Sequence, residues 1–197
     1  RWSYGRHTYN TIMLSKGSVP GAVTQVRQGQ EKKMEGVVGF AFCQIDGKHD
    51  LDSLVLPAVT EVPDGSWLID VGTGAGFPAI PLKIVIKGLR ITLLDSVQKK
   101  LGFLETLVKE LGLVGVEIIH GRAEDLAHEK RFREQYDFAV SRAVGRLSVL
   151  AELCMPFCRV GGLFAAYKGP GASAEVDEAE KAFQLLGGKL DAVHRLT

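Results

Sequence analysis

The stretch W-L-I-D-V-G-T-G-A-G-F-P-A-I-P, residues 67–81, decides the fold. Trp67, Leu68 and Ile69 form an apolar run of strand length that reaches an acid, Asp70. Gly72, Gly74 and Gly76 follow at alternate positions, and a helix-compatible segment begins behind them. A strand that feeds a glycine-rich turn and then a helix is the layout of a nucleotide-cofactor site. Glycine allows the tight turn and lets backbone approach the ligand. The dinucleotide fingerprint is G-x-G-x-x-G. Here the pattern is G-x-G-x-G, and Phe77 stands where that fingerprint places its third glycine. The spacing favours an S-adenosyl-L-methionine turn over a pyrophosphate-binding one.

Downstream, strand-like and helix-like segments alternate. Residues 78–87 suit a helix with prolines confined to its first turn, where a missing N–H costs little. L-R-I-T-L-L-D (89–95) is a second buried strand ending on Asp95, placed to accept hydrogen bonds from ribose hydroxyls or to serve as a helix N-terminal acid or cap. Residues 99–112 carry Leu101, Leu104, Leu107, Val108 and Leu111 as one apolar stripe, and Gly112 stops that helix. V-E-I-I-H (116–120), Y-D-F-A-V-S (136–141) and L-F-A-A-Y-K (163–168) are further strands, with helices expected near 147–154 and 173–187. This alternation predicts an α/β fold: a doubly wound, mostly parallel sheet with right-handed crossovers, Rossmann-like. Ligands in such sheets lie beyond the carboxyl ends of the strands. Gly72 to Phe77, Asp95, Arg122 to Glu124, Ser141, Arg142 and Lys168 stand there, a rim of glycines, acids and cations.

A chain of 197 residues with 46% hydrophobic and 24% charged residues suits one globular domain with a small appendage. The formal net charge of +1 advertises no global attraction to nucleic acid, so any basic surface is local. Residues 46–197 read as the domain that carries this fold and residues 1–45 as a poorly specified N-terminal appendage. Its charge run at 27–33 reads as a solvated tail rather than an RNA contact. No apolar run has membrane-span length. Cys43, Cys154 and Cys158 lack C-x-x-C spacing and accompanying histidines, which favours free thiols in a reducing cytoplasm over a metal site. His49, Asp52 and Ser53 contain triad residue types, but no G-x-S-x-G elbow accompanies them.

With these motifs assembled, the chain resembles the glucose-inhibited division protein B family (GidB, also called RsmG). The resemblance rests on H-D-L-D-S-L (49–54), D-V-G-T-G-A-G-F-P-A-I-P-L-K (70–83), L-L-D-S-x-x-K-K-x-x-F-L (93–104), G-R-A-E-D-L (121–126), Y-D-F-A-V-S-R-A-V (136–144) and G-G-L-F-A-A-Y-K-G (161–169). It implies a Rossmann-like methyltransferase that moves a methyl group from S-adenosyl-L-methionine to N7 of a guanine in 16S ribosomal RNA. It also implies that Gly72, Gly74, Gly76 and Phe77 form the cofactor turn, with Asp70 near the methionine amino group and Asp95 at the ribose. Ala123 and Glu124 would hold the adenine edge. Arg142 would reach both cofactor and substrate as the catalytic residue. Arg122, Arg142 and Lys168 would form the basic rim that receives RNA, so that Lys168→Ala weakens RNA binding. The expected partner is 16S ribosomal RNA or the small ribosomal subunit, with a cytoplasmic monomer and neither metal nor membrane. Two departures stand out. Residues 1–45 do not look like the family's helical N-terminal subdomain, and its final antiparallel strand pair looks incomplete, as in a truncated or altered-frame chain. A methyltransferase for a small molecule and an inactive cofactor-binding RNA module are the alternatives.

Overall fold

The computed structural model describes residues 9–16, 53–143, 145–169 and 172–196. The 27–33 charge run, Cys43, His49 and Asp52 lie outside these residues. The strands are β1 (Tyr9–Lys16), β2 (Trp67–Val71), β3 (Arg90–Asp95), β4 (Val116–His120), β5 (Tyr136–Ser141), β6 (Cys158–Lys168) and β7 (Gly188–Leu196). The helices are α1 (Val55–Val59), α2 (Ala79–Val85), α3 (Gln98–Glu110), α4 (Ala123–Leu126), α5 (Leu147–Cys154) and α6 (Ala172–Leu185). One seven-stranded sheet runs β4-β3-β2-β5-β6-β1-β7. From β4 to β6 neighbouring strands are parallel, while β1 is antiparallel to both β6 and β7.

The parallel strands are apolar on both faces because helices cover both. Ile69, Val71, Leu94, Ala139 and Phe164 face a core completed by α4, α5 and α6, with Phe157 and Phe183 fully buried in it. Their neighbours Leu68, Leu93, Val140 and Ala165 face the opposite core, closed by α1, α2 and α3 through Leu56, Leu82, Leu101 and Leu104. Burying a leucine of this kind contributes roughly 1.5–3 kcal/mol. The two cores together make the sheet a rigid carrier for whatever stands at its carboxyl edge. At the opposite edge Trp67 starts β2. Its N–H donates to Asp137 Oδ2 at 2.8 Å, and the Arg90 guanidinium lies 5.3 Å from its ring centroid. No helix among the described residues is long and apolar enough to cross a membrane.

The structure differs from the sequence reading at both ends of the chain. Tyr9–Lys16 falls within the expected appendage, yet it is an interior strand, pairing Asn10 to Ser15 with β6 and Tyr9 to Lys16 with β7. β1 and β7 form the antiparallel side of the sheet beyond β6. The physical reason is that T-I-M-L (11–14) is too short to show a period by itself. Its partners lie more than a hundred residues away in sequence, where local pattern carries no information. A second difference is that β6 begins at Cys158 rather than Leu163, across the Gly161–Gly162 pair.

The placement of β1 predicts the effect of a backbone lesion. Ile12 pairs with Ala166 on one side and Val193 on the other, and proline cannot donate to either ladder. Ile12→Pro is expected to lower the unfolding free energy by roughly 2–3 kcal/mol, read as a shift in the urea midpoint. A midpoint equal to that of the unsubstituted chain would place residues 9–16 outside the sheet.

Candidate cofactor site

The turn after β2 is hung on the tip of β3. Gly72 N–H and Thr73 N–H both donate to the Leu94 carbonyl, at 2.9 and 3.0 Å. To pass over that carbonyl the chain takes positive φ at Gly72 (74°) and Gly76 (95°), a region side chains rarely adopt. A Cβ on Gly76 would also stand 2.5 Å from Ile80 Cγ1, so close packing of turn against α2 requires its absence. Asp70 is buried beneath the turn. Its Oδ2 accepts from Thr73 Oγ1 at 2.9 Å and from Ala79 N–H at 3.3 Å, joining strand end to helix start. Its Oδ1 is buried with no hydrogen-bond partner. Burial pushes the Asp70 pKa up to about 7; the Thr73 and Ala79 bonds and the Arg142 charge oppose that rise, and Asp95 adds to it.

Asp95 closes the neighbouring strand. Its Oδ1 accepts from Val97 N–H at 2.9 Å, and its Oδ2 accepts from Gly74 N–H at 2.9 Å and Lys100 Nζ at 3.3 Å. Burial alone would raise its pKa. The bonds from Val97, Gly74 and Lys100 outweigh that and hold it below the ordinary value. One acid therefore ties the glycine turn to the start of α3.

Above these groups opens a cavity of about 580 Å³, within the size range of small-molecule sites. Of the residues singled out in the sequence, Gly72, Asp95, Arg122, Ala123, Glu124, Ser141 and Arg142 line it. Asp70, Gly74, Gly76, Phe77 and Lys168 do not. Asp70 and Gly76 lie under the turn, and Gly74 acts through its bond to Asp95. Phe77 is buried with the Arg142 guanidinium 4.9 Å from its ring centroid. Arg142 is thus carried by the end of β5 and rests on the turn from β2. Ser141 Oγ donates to the Val71 carbonyl at 2.8 Å and holds those two strand ends together.

Lys168 stands at the end of β6 with its side chain only 10% exposed, and its Nζ lies 2.9 Å from Glu175 Oε2. Nζ also donates to the Gly145 carbonyl at 2.5 Å. The sequence put a cation at a strand end and could not show the carboxylate that α6 brings to it.

Sequence reasoning also missed Val97, Lys100, Ala143, Leu150 and Leu153, which line the cavity, and Thr73 beneath it. Lys100 had a legible signal, since it lies in the first turn of the helix that follows Asp95. The cavity is lined by the Asp95 carboxylate, and the Asp70 carboxyl, with one hydrogen bond unmade, lies buried beneath the turn. Such a site suits a ligand with a cationic centre and hydroxyl donors. It opposes a pyrophosphate, whose charge would face Asp95. The acceptors present fit S-adenosyl-L-methionine, and Asp95, Ala123 and Glu124 all line the cavity.

Comparison with known proteins agrees with this geometry. Residues 39–197 match the GidB family model, described as rRNA small subunit methyltransferase G. Over 153 residues the chain is 51% identical to ribosomal RNA small subunit methyltransferase G of Lactobacillus acidophilus, covering 76% of this chain and 63% of that protein. The same-named protein of Clostridium botulinum is 46% identical over 153 residues, covering 78% of this chain and 64% of that one. The chain thus spans a little under two thirds of the length of these relatives. Among solved structures, the [4+2]-cyclase SpnF superposes with a TM-score of 0.56 at 17% identity, over 68% of this chain and 56% of that one. A precorrin-6y C5,15-methyltransferase from Geobacter metallireducens gives 0.51 at 16% identity, over 70% and 68%. These two likenesses concern the fold. That one is named a cyclase and the other a methyltransferase shows that the fold leaves the reaction open.

Asp70 gives the site a pH signature. In the unfolded chain it ionises near its ordinary value of 3.8, whereas in the folded protein it keeps its proton up to about 7. Between these values folding takes up a proton, so Asp70 makes stability fall as pH rises, by at most about 1.4 kcal/mol per pH unit. Asp95, held low, contributes in the opposite sense and only in more acid solution. Asp70→Asn is expected to flatten the decline between about pH 4 and 7 in ligand-free protein, followed by urea unfolding. Parallel pH profiles for the two proteins would contradict the assignment.

Proposed function

Because the chain belongs to the GidB family, rRNA small subunit methyltransferase G, we propose that it transfers a methyl group from S-adenosyl-L-methionine to N7 of a guanine in 16S ribosomal RNA. The observation that carries this reading is the floor made by the Gly72–Gly76 turn and Asp95, where Gly74 N–H meets the Asp95 carboxylate at 2.9 Å. Asp95 takes the ribose hydroxyls. Lys100, whose side chain is half-exposed, swings aside as they arrive. Ala123 and Glu124 border the adenine. Asp70, beneath the turn, gains its ionised form when a cation sits above it. Arg122, exposed at the lip, takes RNA phosphate. The substrate is 16S ribosomal RNA, free or in the small subunit, and the protein acts in the cytoplasm as a monomer.

The chemistry asked of the chain is light. The bound cofactor supplies an electrophilic methyl on a sulfonium. Guanine N7 has an in-plane lone pair and carries no proton, so no general base is needed. What the residues do is align and exclude water. Holding two reactants in line can be worth roughly 7–11 kcal/mol. Arg142, fixed over the Phe77 ring, is placed to hold the guanine edge or an adjacent phosphate against the methyl. A guanine with N7 free to meet the pocket comes from a loop or single-stranded segment. Phosphate contacts make RNA affinity fall steeply with salt.

Calorimetric titration with S-adenosyl-L-methionine, followed by transfer of labelled methyl to small ribosomal subunits that lack the modification, tests the proposal. Binding and transfer to one guanine N7 are expected. Binding without transfer would point to an RNA-interaction module, and transfer to small molecules alone would redirect the substrate class. Arg142→Ala is expected to lower turnover by about a hundredfold or more, and normal turnover would remove Arg142 from the reaction. Asp95→Ala, which removes a charged acceptor, is expected to weaken cofactor binding by roughly ten- to a hundredfold; unchanged affinity would remove Asp95 from the ribose site.

A further inference from the structure

After Ser141 the chain delivers Arg142 and then runs through Gly145 and Arg146 into α5. Two sets of bonds hold this loop. On the strand side, Ser141 Oγ donates to the Val71 carbonyl at 2.8 Å and accepts from Ala143 N–H at 3.3 Å. On the helix side, Glu175 Oε2 in the first turn of α6 accepts from Leu147 N–H at 2.8 Å and from Lys168 Nζ at 2.9 Å. The same Nζ donates to the Gly145 carbonyl at 2.5 Å. The end of β6, the start of α5 and the start of α6 therefore meet at one carboxylate oxygen.

We propose that Lys168 and Glu175 are a positioning pair, which fixes Gly145 and Leu147 behind Arg142 and thereby the Arg142 guanidinium over Phe77. Its kinetic consequence rests on the methyl-transfer reading above. Three observations favour this role over a phosphate contact for Lys168. The side chain is 10% exposed, and a cation so covered is tolerated only when paired. Two of its three N–H donors already end on protein oxygens. One of those bonds ends on the Gly145 carbonyl, in the loop that follows Arg142, and the other on Glu175 Oε2, which itself accepts from Leu147 N–H at the end of that loop. Glu175 fits the same role. Burial would raise its pKa, but Lys168, Leu147 N–H and the charge of Arg146 outweigh that and keep the carboxyl below its ordinary value.

Lys168→Met keeps the length of the side chain and removes the donor. At saturating cofactor and RNA its turnover is expected to fall about ten- to a hundredfold. The KM for RNA should stay within about threefold of the unsubstituted protein, and the salt dependence of RNA binding should be unchanged. Amide hydrogen exchange at Leu147 should speed up, while Gly72 and Thr73, bonded to Leu94, keep their rates. Glu175→Gln retains an acceptor for Leu147 N–H and should show the same kinetic signature in a milder form, which covers the case of Lys168→Met failing to fold. In the double variant, part of the turnover should return, because Glu175 is no longer left as an unpaired carboxylate. The proposal is overturned if Lys168→Met keeps its turnover and instead loses about one counterion from the salt slope of RNA binding. Unchanged exchange at Leu147 overturns it as well. If the unsubstituted protein transfers no methyl group to RNA, the functional reading falls, and exchange at Leu147 then decides the positioning role alone.

Discussion

Two hydrogen bonds to one carbonyl set the geometry on which the site depends. By donating both Gly72 N–H and Thr73 N–H to Leu94, the chain fixes the turn after β2 against the tip of β3. That placement brings Gly74 N–H to Asp95, sets Asp70 under the turn within reach of Ala79, and puts Phe77 beneath Arg142. The strands can hold this register because both faces of the sheet are packed. Positive φ at Gly72 and Gly76 is the local cost, and glycine meets it without steric strain.

The electrostatics follow from burial. Asp95 reaches the cavity, is paired, and stays ionised. Asp70 is sealed off with one oxygen unpartnered, and so holds its proton toward neutral pH. A cation arriving above the turn relieves this second acid and loses little to the first. The topology itself is shared with a protein named a cyclase and one named a methyltransferase, so it leaves the reaction open.

Much of this was legible in the sequence, for physical reasons. Parallel buried strands announce themselves as apolar runs. The glycine spacing with Phe77 marked the turn, and acids and cations at strand ends marked the rim. Gly72, Asp95, Arg122, Ala123, Glu124 and Arg142 accordingly come together around one cavity. What stayed hidden is formed between segments far apart in the chain. Strand β1 is defined by pairing with β6 and β7, and Lys168 is defined by a glutamate from α6 and a carbonyl from the loop before α5. Thr73, between two glycines, carries no signal in the sequence, and only its distance to Asp70 reveals it as an anchor.

Whether the floor takes a cationic nucleoside is read most directly by a nuclear magnetic resonance titration of ¹⁵N-labelled protein with S-adenosyl-L-methionine. The amides of Gly72, Gly74, Asp95, Ala123 and Arg142 should shift together along one saturable binding curve. The amides of Trp67, Arg131 and Tyr136, at the opposite edge of the sheet, should remain still. Shifts confined to that opposite edge, or none at the glycine turn, would contradict the assignment of this cavity as the cofactor site.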